Sequence, residues 1–162
     1  MKNTGQPLSP HKLRHATAVA EYMFFRAGDY GVDPDIAYTV GLLHDIGYLH
    51  GREGHEARGA ELLRACGMND EITYAIGHHA SLLEALPPEN VSRLLVLLAE
   101  ADLSVDHKGA CVGFDERLKD IKARYADTIG SVNGIPVAES AERNMQYITV
   151  YCKANDISLP TV

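Results

Sequence analysis

The chain predicts an all-α fold, a compact bundle of about six to seven helices. Three observations carry this. Apolar residues recur at helical spacing through most of the sequence, start and stop residues bracket each such stretch, and no segment alternates apolar and polar residues as a half-buried strand would. The 162 residues suffice for one domain with a real core, and 46% hydrophobic with 23% charged is an ordinary globular composition.

Each helix follows from its boundary residues. Ser9-Pro10 reads as N-cap and first helical position, opening a helix to about Ala27 that ends at Gly28. Asp33-Pro34 repeats that signal for a helix reaching His44-Asp45 and stopping at Gly47, followed by a loop over Tyr48 to Gly54. Glu53 to Cys66 is the third, closed by Gly67. Asn69 caps a fourth to about Leu86, stopped by Pro87-Pro88. Asn90 to about His107 is strongly apolar through Val91, Leu94, Leu95 and Leu98. After a joint over Lys108 to Gly113, Phe114 to Tyr125 forms an amphipathic helix. A loop from Asp127 to Pro136 holds the turn pair Asn133-Gly134, and Ala138 to Ala154 is the last helix. No composition break or repeat divides the chain, so it reads as one domain over 1–162, its last two helices (114–154) covering the bundle.

The net charge of −7 argues against binding a nucleic-acid duplex or an anionic membrane through the surface. It allows a phosphorylated substrate, because bound metal ions reverse the local field. Cys66, Cys111 and Cys152 are few and widely spaced, so they are expected to be free thiols. No apolar run is long enough to span a membrane, and Met1 to Pro10 lacks a signal-peptide core. A cytoplasmic location is therefore expected.

The chemistry lies in the polar residues that interrupt the apolar faces. His15 shares a face with Val19, Tyr22 and Met23; His44 lies one turn beyond Val40; Asp102 continues the stripe of Leu94, Leu95 and Leu98. His79 follows Ile72, Ala75 and Ile76, whereas His78 is turned about 100° away. His55 leads Gly59, Leu62 and Leu63, and Gly59 would let another backbone approach. Taken singly, His15 is a core histidine, Asp102 a cap or arginine partner, His55 a solvated helix start, and His44-Asp45 a helix terminus. Taken together, they are buried charges that a divalent metal would satisfy at once. Histidine with aspartate and no cysteine suits Fe, Mn, Co, Ni or Zn and disfavours an all-oxygen calcium cage. His11, His50 and His107 fall outside the pattern. Arg14, Arg52 and Lys108 read as solvated charges able to meet a phosphate.

These residues resemble the HD-domain superfamily of metal-dependent phosphohydrolases. Over about residues 10–106, His15-Ala16-Thr17-Ala18-Val19-Ala20 is similar to its first helix. Gly41-Leu42-Leu43-His44-Asp45-Ile46-Gly47 is similar to its signature turn, and His55-Glu56-Ala57-Arg58-Gly59-Ala60 to the H-x-x-x-G-A segment of two-metal members. Ala75-Ile76-Gly77-His78-His79 and Ala101-Asp102 match the remaining motifs. The resemblance implies that His15, His44, Asp45 and Asp102 hold one metal and His55 and His79 a second, with Asp45 bridging. His44 and Asp45 are then the catalytic pair and His78 a supporting or substrate-contacting residue; Arg52, by its charge alone, is a further candidate for supporting the site or contacting substrate. It implies metals about 3.5–4 Å apart that share and activate a water for in-line attack on phosphorus.

The expected activity is hydrolysis of a phosphoester or phosphoanhydride in a nucleotide-like small molecule. The partners allowed are that substrate and a second copy of the chain. Partial likeness to symmetrical dinucleoside-tetraphosphate hydrolases points the same way, and Ala80-Ser81-Leu82-Leu83 after His79 disfavours the cyclic-di-GMP phosphodiesterase branch. The alternative is an HD-fold di-iron oxygenase cleaving a C–C or C–P bond with the same ligands. A non-catalytic nucleotide sensor is the third class.

Overall fold

In a computed structural model, described over residues 7–130 and 132–160, the chain forms seven α-helices. They are α1 (Pro10–Tyr30), α2 (Pro34–Leu43), α3 (His55–Ala65), α4 (Asp70–His78), α5 (Arg93–Asp102), α6 (Gly113–Tyr125) and α7 (Val137–Ala154). Single turns of 3-10 helix cover Ile46–His50, Leu83–Ala85 and Pro88–Asn90. Among the described residues, extended pairing is limited to isolated bridges at Val105–Cys111 and Ile129–Pro136.

The bundle is built around α5. Leu94 through Ala101 are all buried, so the interior of this helix has no solvent face and α1, α2, α4 and α7 pack about it. Its one fully buried charge, Glu100, accepts from the Tyr22 and Tyr30 hydroxyls, each at 2.8 Å, and from Arg26 Nε at 2.9 Å. A carboxylate so buried persists because its oxygens are paired.

The helix starts agree with their capping residues. Ser9 Oγ accepts from Lys12 N, Asp33 Oδ1 from Asp35 N and Ile36 N, and Asn69 Oδ1 from Ile72 N. Several ends differ from expectation, and α2 stops at Leu43, just before His44-Asp45. The first helix runs through Gly28 to Tyr30 and is closed by Gly31 in the left-handed conformation, with Val32 N–H bonded to the Ala27 carbonyl. A glycine inside a helix costs about 1 kcal/mol. Burying Tyr30, which continues the Met23–Ala27 stripe and bonds Glu100, outweighs that cost.

The fourth helix stops at His78 rather than Leu86. The reason lies 50 to 60 residues away in sequence. Asn133 accepts from Leu82 N at 2.9 Å and donates to the Ala80 carbonyl at 3.0 Å. Asn144 accepts from Leu83 N at 3.0 Å and donates to the Ser81 carbonyl at 2.9 Å. These two side chains supply the partners that a continued helix would have supplied. The fifth helix is likewise shorter than expected, because Ser92 caps it and it ends on Asp102.

Two glycines of the signature turn are close-approach positions. A Cβ on Gly41 would sit 2.7 Å from Ala20 Cα, so α1 and α2 touch backbone to backbone there. A Cβ on Gly47 would lie 1.7 Å from the His55 carbonyl oxygen. Gly59 in turn faces the Gly47 nitrogen, at 3.3 Å from its ideal Cβ. The His44-Asp45 pair is thus pinned between α1 on one side and the start of α3 on the other.

Candidate metal centre

Six residues expected to share a site come from five separate elements and converge. His15 is on α1, His44 and Asp45 follow α2, His55 opens α3, His79 follows α4 and Asp102 ends α5. Nε2 of His15 is 2.8 Å from Asp102 Oδ1. Nε2 of His44 is 3.4 Å from Asp45 Oδ2 and 3.5 Å from Asp102 Oδ1. Nε2 of His55 and of His79 lie 3.4 Å and 3.6 Å from Asp45 Oδ1. One oxygen of Asp45 therefore faces the His44 side and the other faces His55 and His79.

The imidazoles are aimed by the backbone. The Nδ1–H groups of His44 and His79 donate to the carbonyls of Gly41 at 2.7 Å and Ile76 at 2.6 Å. Both histidines cap their helices, and both acceptors are last-turn carbonyls that lack an intrahelical donor. His15 Nδ1–H donates to the Asp106 carbonyl at 2.9 Å, beyond the end of α5. A carbonyl only accepts, so Nδ1 carries the proton in all three rings and Nε2 is the nitrogen presented to the centre. This is how metal-binding histidines are oriented.

The electrostatics are those of a cluster of unlike charges. Burial opposes ionisation of Asp45, but His44, His55 and His79 hold its carboxyl well below the carboxylate range. Burial likewise acts against Asp102, and His15 and His44 pull it well below the ordinary value. Desolvation would lower the His79 pKa, yet Asp45 and Asp102 lift it to about 9. His44 is raised against its complete burial by Asp45 and Asp102. Its Nε2 nonetheless makes no hydrogen bond. A buried polar nitrogen without a partner, set among carboxylate oxygens, fits a cation taking its lone pair. Three groups, His15-His44-Asp102, His44-Asp45-His79 and His55-Glu56-His79, each bring one ligand atom per residue within 4.8 Å of one another.

His78 is not in these groups. Its ring packs on Tyr74, and Nδ1 is 3.4 Å from Ser81 Oγ. Arg52 is exposed, near enough for its charge to act on Lys12. His11 and His50 are exposed, and His107 Nδ1 lies 3.3 Å from Asp120 on α6.

Three residues near the centre were missed in the sequence. Lys12 Nζ is 4.0 Å from Asp45 Oδ2. Tyr48 stacks on His55 with centroids 4.0 Å apart. Buried Glu56 places Oε2 3.4 Å from His55 Nδ1. Lys12 had a signal, its position three before His15 on the same helix face; Tyr48 and Glu56 had none beyond adjacency to the motifs. The C-terminal helices also do more than cover the bundle. Arg117 Nε on α6 donates to the Asp102 carbonyl at 3.4 Å, and Asn144 on α7 helps clamp the turn after His79.

Among the described residues no helix is long and apolar enough to cross a membrane. The model of the HD domain family matches residues 13–104. Curated relatives carry the name Ribonuclease Y. That of Desulfotalea psychrophila is 40% identical over 119 residues, 68% of this chain and 22% of the relative. That of Oleidesulfovibrio alaskensis is 35% identical over 130 residues, 78% and 24% of the two chains. That of Syntrophobacter fumaroxidans is 34% identical over 151 residues, 89% and 28%. The chain thus spans 22–28% of the length of these relatives. With the family match covering the five motifs in order, the chain belongs to the HD-domain superfamily of metal-dependent phosphohydrolases.

Proposed function

We propose that this domain hydrolyses a phosphoester bond of a nucleotide-like substrate at a dinuclear metal centre. The observation that carries the proposal is the placement of Asp45, one of whose carboxylate oxygens faces His44 and the other His55 and His79. In this reading His15, His44, Asp45 and Asp102 would hold one divalent ion, and His55 and His79, with Asp45 shared between the two, would hold the other. His44 and Asp45 are the central catalytic ligands. Such ions supply an activated water and neutralise charge on the phosphoryl oxygens.

The chain's own residues do the positioning. Backbone carbonyls of Gly41, Ile76 and Asp106 lock three imidazoles with Nε2 inward. The Asp45 carboxyl, held far down, stays ionised across the working pH range. Burial of His44 and His79 excludes water from one side and leaves the Lys12 side open to a substrate. The relatives' name, Ribonuclease Y, favours a phosphodiester of RNA among nucleotide substrates, reached in single strands by a chain whose net charge of −7 disfavours duplex binding.

The test is elemental analysis of the chain purified without chelator, with product analysis on three substrates: bis(p-nitrophenyl) phosphate, a short single-stranded oligoribonucleotide and a dinucleoside tetraphosphate. About two metal ions per chain with oxygen-independent hydrolysis supports the proposal. Two irons with oxygen uptake and no hydrolysis would replace it with the oxygenase, and metal-free protein under every loading condition would refute it.

A further inference from the structure

Lys12 is a cation in an unexpected place. It lies on α1, one turn before His15, so the helix that carries a proposed metal ligand carries an ammonium on the same face. Its Nζ is 3.4 Å from the centroid of the Tyr48 ring and 4.0 Å from Asp45 Oδ2. His55 stacks on Tyr48 at 4.0 Å and 23°. Two groups that close to one centroid would overlap on one face, so they occupy opposite faces. Lys12, Tyr48 and His55 form a three-layer stack, with the phenol ring as a spacer that sets how far the ammonium stands from the centre. Cation–π contact of this kind holds a cation over the face of the ring.

The stack is not closed off. The Lys12 side chain keeps 36% of its exposure while Asp45 keeps 10%, so the ammonium sits at the boundary between the centre and solvent. Arg52 and Arg124 are near enough for their charges to act on it. With divalent ions on Asp45, that carboxylate is no longer available as the counter-ion of Lys12. The ammonium then faces a net positive centre, and the arrangement calls for an anion between them. A phosphoryl group fits: some oxygens toward the ions, one toward Nζ.

We propose that Lys12, seated on Tyr48, is the substrate-binding residue that takes a non-bridging phosphate oxygen. This rests on the reading of the site as a phosphohydrolase centre and adds to it the residue that selects for the phosphate charge. Tyr48 is the positioning residue, and because both its faces are covered it does not stack a base.

The experiment compares the wild-type chain with Lys12→Gln and Lys12→Arg, each with manganese and after chelation. Calorimetry measures the binding of inorganic phosphate, elemental analysis the metal content, and turnover of bis(p-nitrophenyl) phosphate gives KM and kcat separately. A charge-assisted hydrogen bond of about 1.5–3 kcal/mol predicts that Lys12→Gln weakens phosphate binding about ten- to a hundredfold. Metal content stays at the wild-type level, and Lys12→Arg restores part of the affinity. A merely structural lysine would instead lower metal content or melting temperature and leave phosphate affinity per loaded site intact, which would overturn the proposal. So would a metal-loaded wild-type chain that binds no phosphate. If wild-type protein binds phosphate through Lys12 but cleaves none of the phosphoesters, the hydrolase reading fails while the Lys12 assignment stands.

Discussion

The alpha carbon of Gly47 points at the carbonyl oxygen of His55: a Cβ there would fall 1.7 Å from it. The closing glycine of the signature turn is therefore a contact between the His44-Asp45 segment and the residue proposed to begin the second metal site. Nothing else in the alphabet fits without moving α3. Gly28, by contrast, has nothing within 4 Å of its ideal Cβ and lies on the exposed side of α1.

These two glycines predict opposite outcomes. Gly47→Ala should lower the melting temperature sharply and reduce bound metal, because the backbone must separate at the centre. Gly28→Ala should stabilise the chain by about 0.5–1 kcal/mol through helix propensity, with metal content unchanged. Thermal denaturation and elemental analysis of the two variants check this, and a neutral Gly47→Ala would refute the close approach.

Removal of single ligands should grade the site. Asp45→Ala should abolish metal retention and activity, since it faces both imidazole sets. His79→Ala should cost more metal than His78→Ala, whose ring packs on Tyr74 instead. His11→Ala should be close to neutral, as His11 is exposed and bonded to Arg14. Metal stoichiometry of the four variants decides it; a larger metal loss in His78→Ala than in His79→Ala would move the ligand by one residue.

The pH dependence of the metal-free chain should have a definite sign. The pKa of His79, raised from 6.5 to about 9, gives stability that is fully present below pH 6.5 and lost as pH rises through 9. Asp45, depressed below 3.8, contributes stability present above that value and lost as pH falls toward its folded pKa. Chelated protein should thus melt highest between about pH 4 and 6.5 and less high at pH 9. Metal binding needs neutral imidazoles, so the added stability from manganese should grow over the same rise in pH. Melting curves with chelator and with manganese test the crossing; parallel curves would contradict it.

Asn144→Ala should strip the Leu83 N–H and Ser81 carbonyl of their partners in a buried turn. Each unsatisfied buried group costs about 1–3 kcal/mol, so destabilisation of about 2–6 kcal/mol is expected from the two. Because this turn follows His79 directly, metal affinity should fall as well. Denaturant titration and metal binding of the variant measure both effects, and loss of stability with metal affinity intact would separate the clamp from the centre.

Much of the fold was legible in the linear chain because helix boundaries obey local rules. Ser9, Asp33, Asn69 and the run Leu94 to Leu98 act through neighbours within four residues, and the caps formed where those residue types stood. The candidate residues were legible for a related reason: a histidine or aspartate on an apolar face stands out against the period of its own helix. His15, His44, His55, His79 and Asp102 were each identifiable that way, Asp45 as the neighbour of His44, and their order alone suggested a shared centre.

What lay outside local rules required the folded chain. The early stop of α4 depends on Asn133 and Asn144, and the passage of α1 through Gly28 on a hydroxyl contact between Tyr30 and Glu100. The Lys12–Tyr48–His55 stack, the two-sided placement of Asp45 and the inward Nε2 of His15 each join segments with no periodic relation in sequence. Residue identity and local spacing therefore specify which side chains are out of keeping with a core. The distance and direction between them are set by packing over the whole bundle, since only the closed fold sums many weak long-range contacts into one geometry.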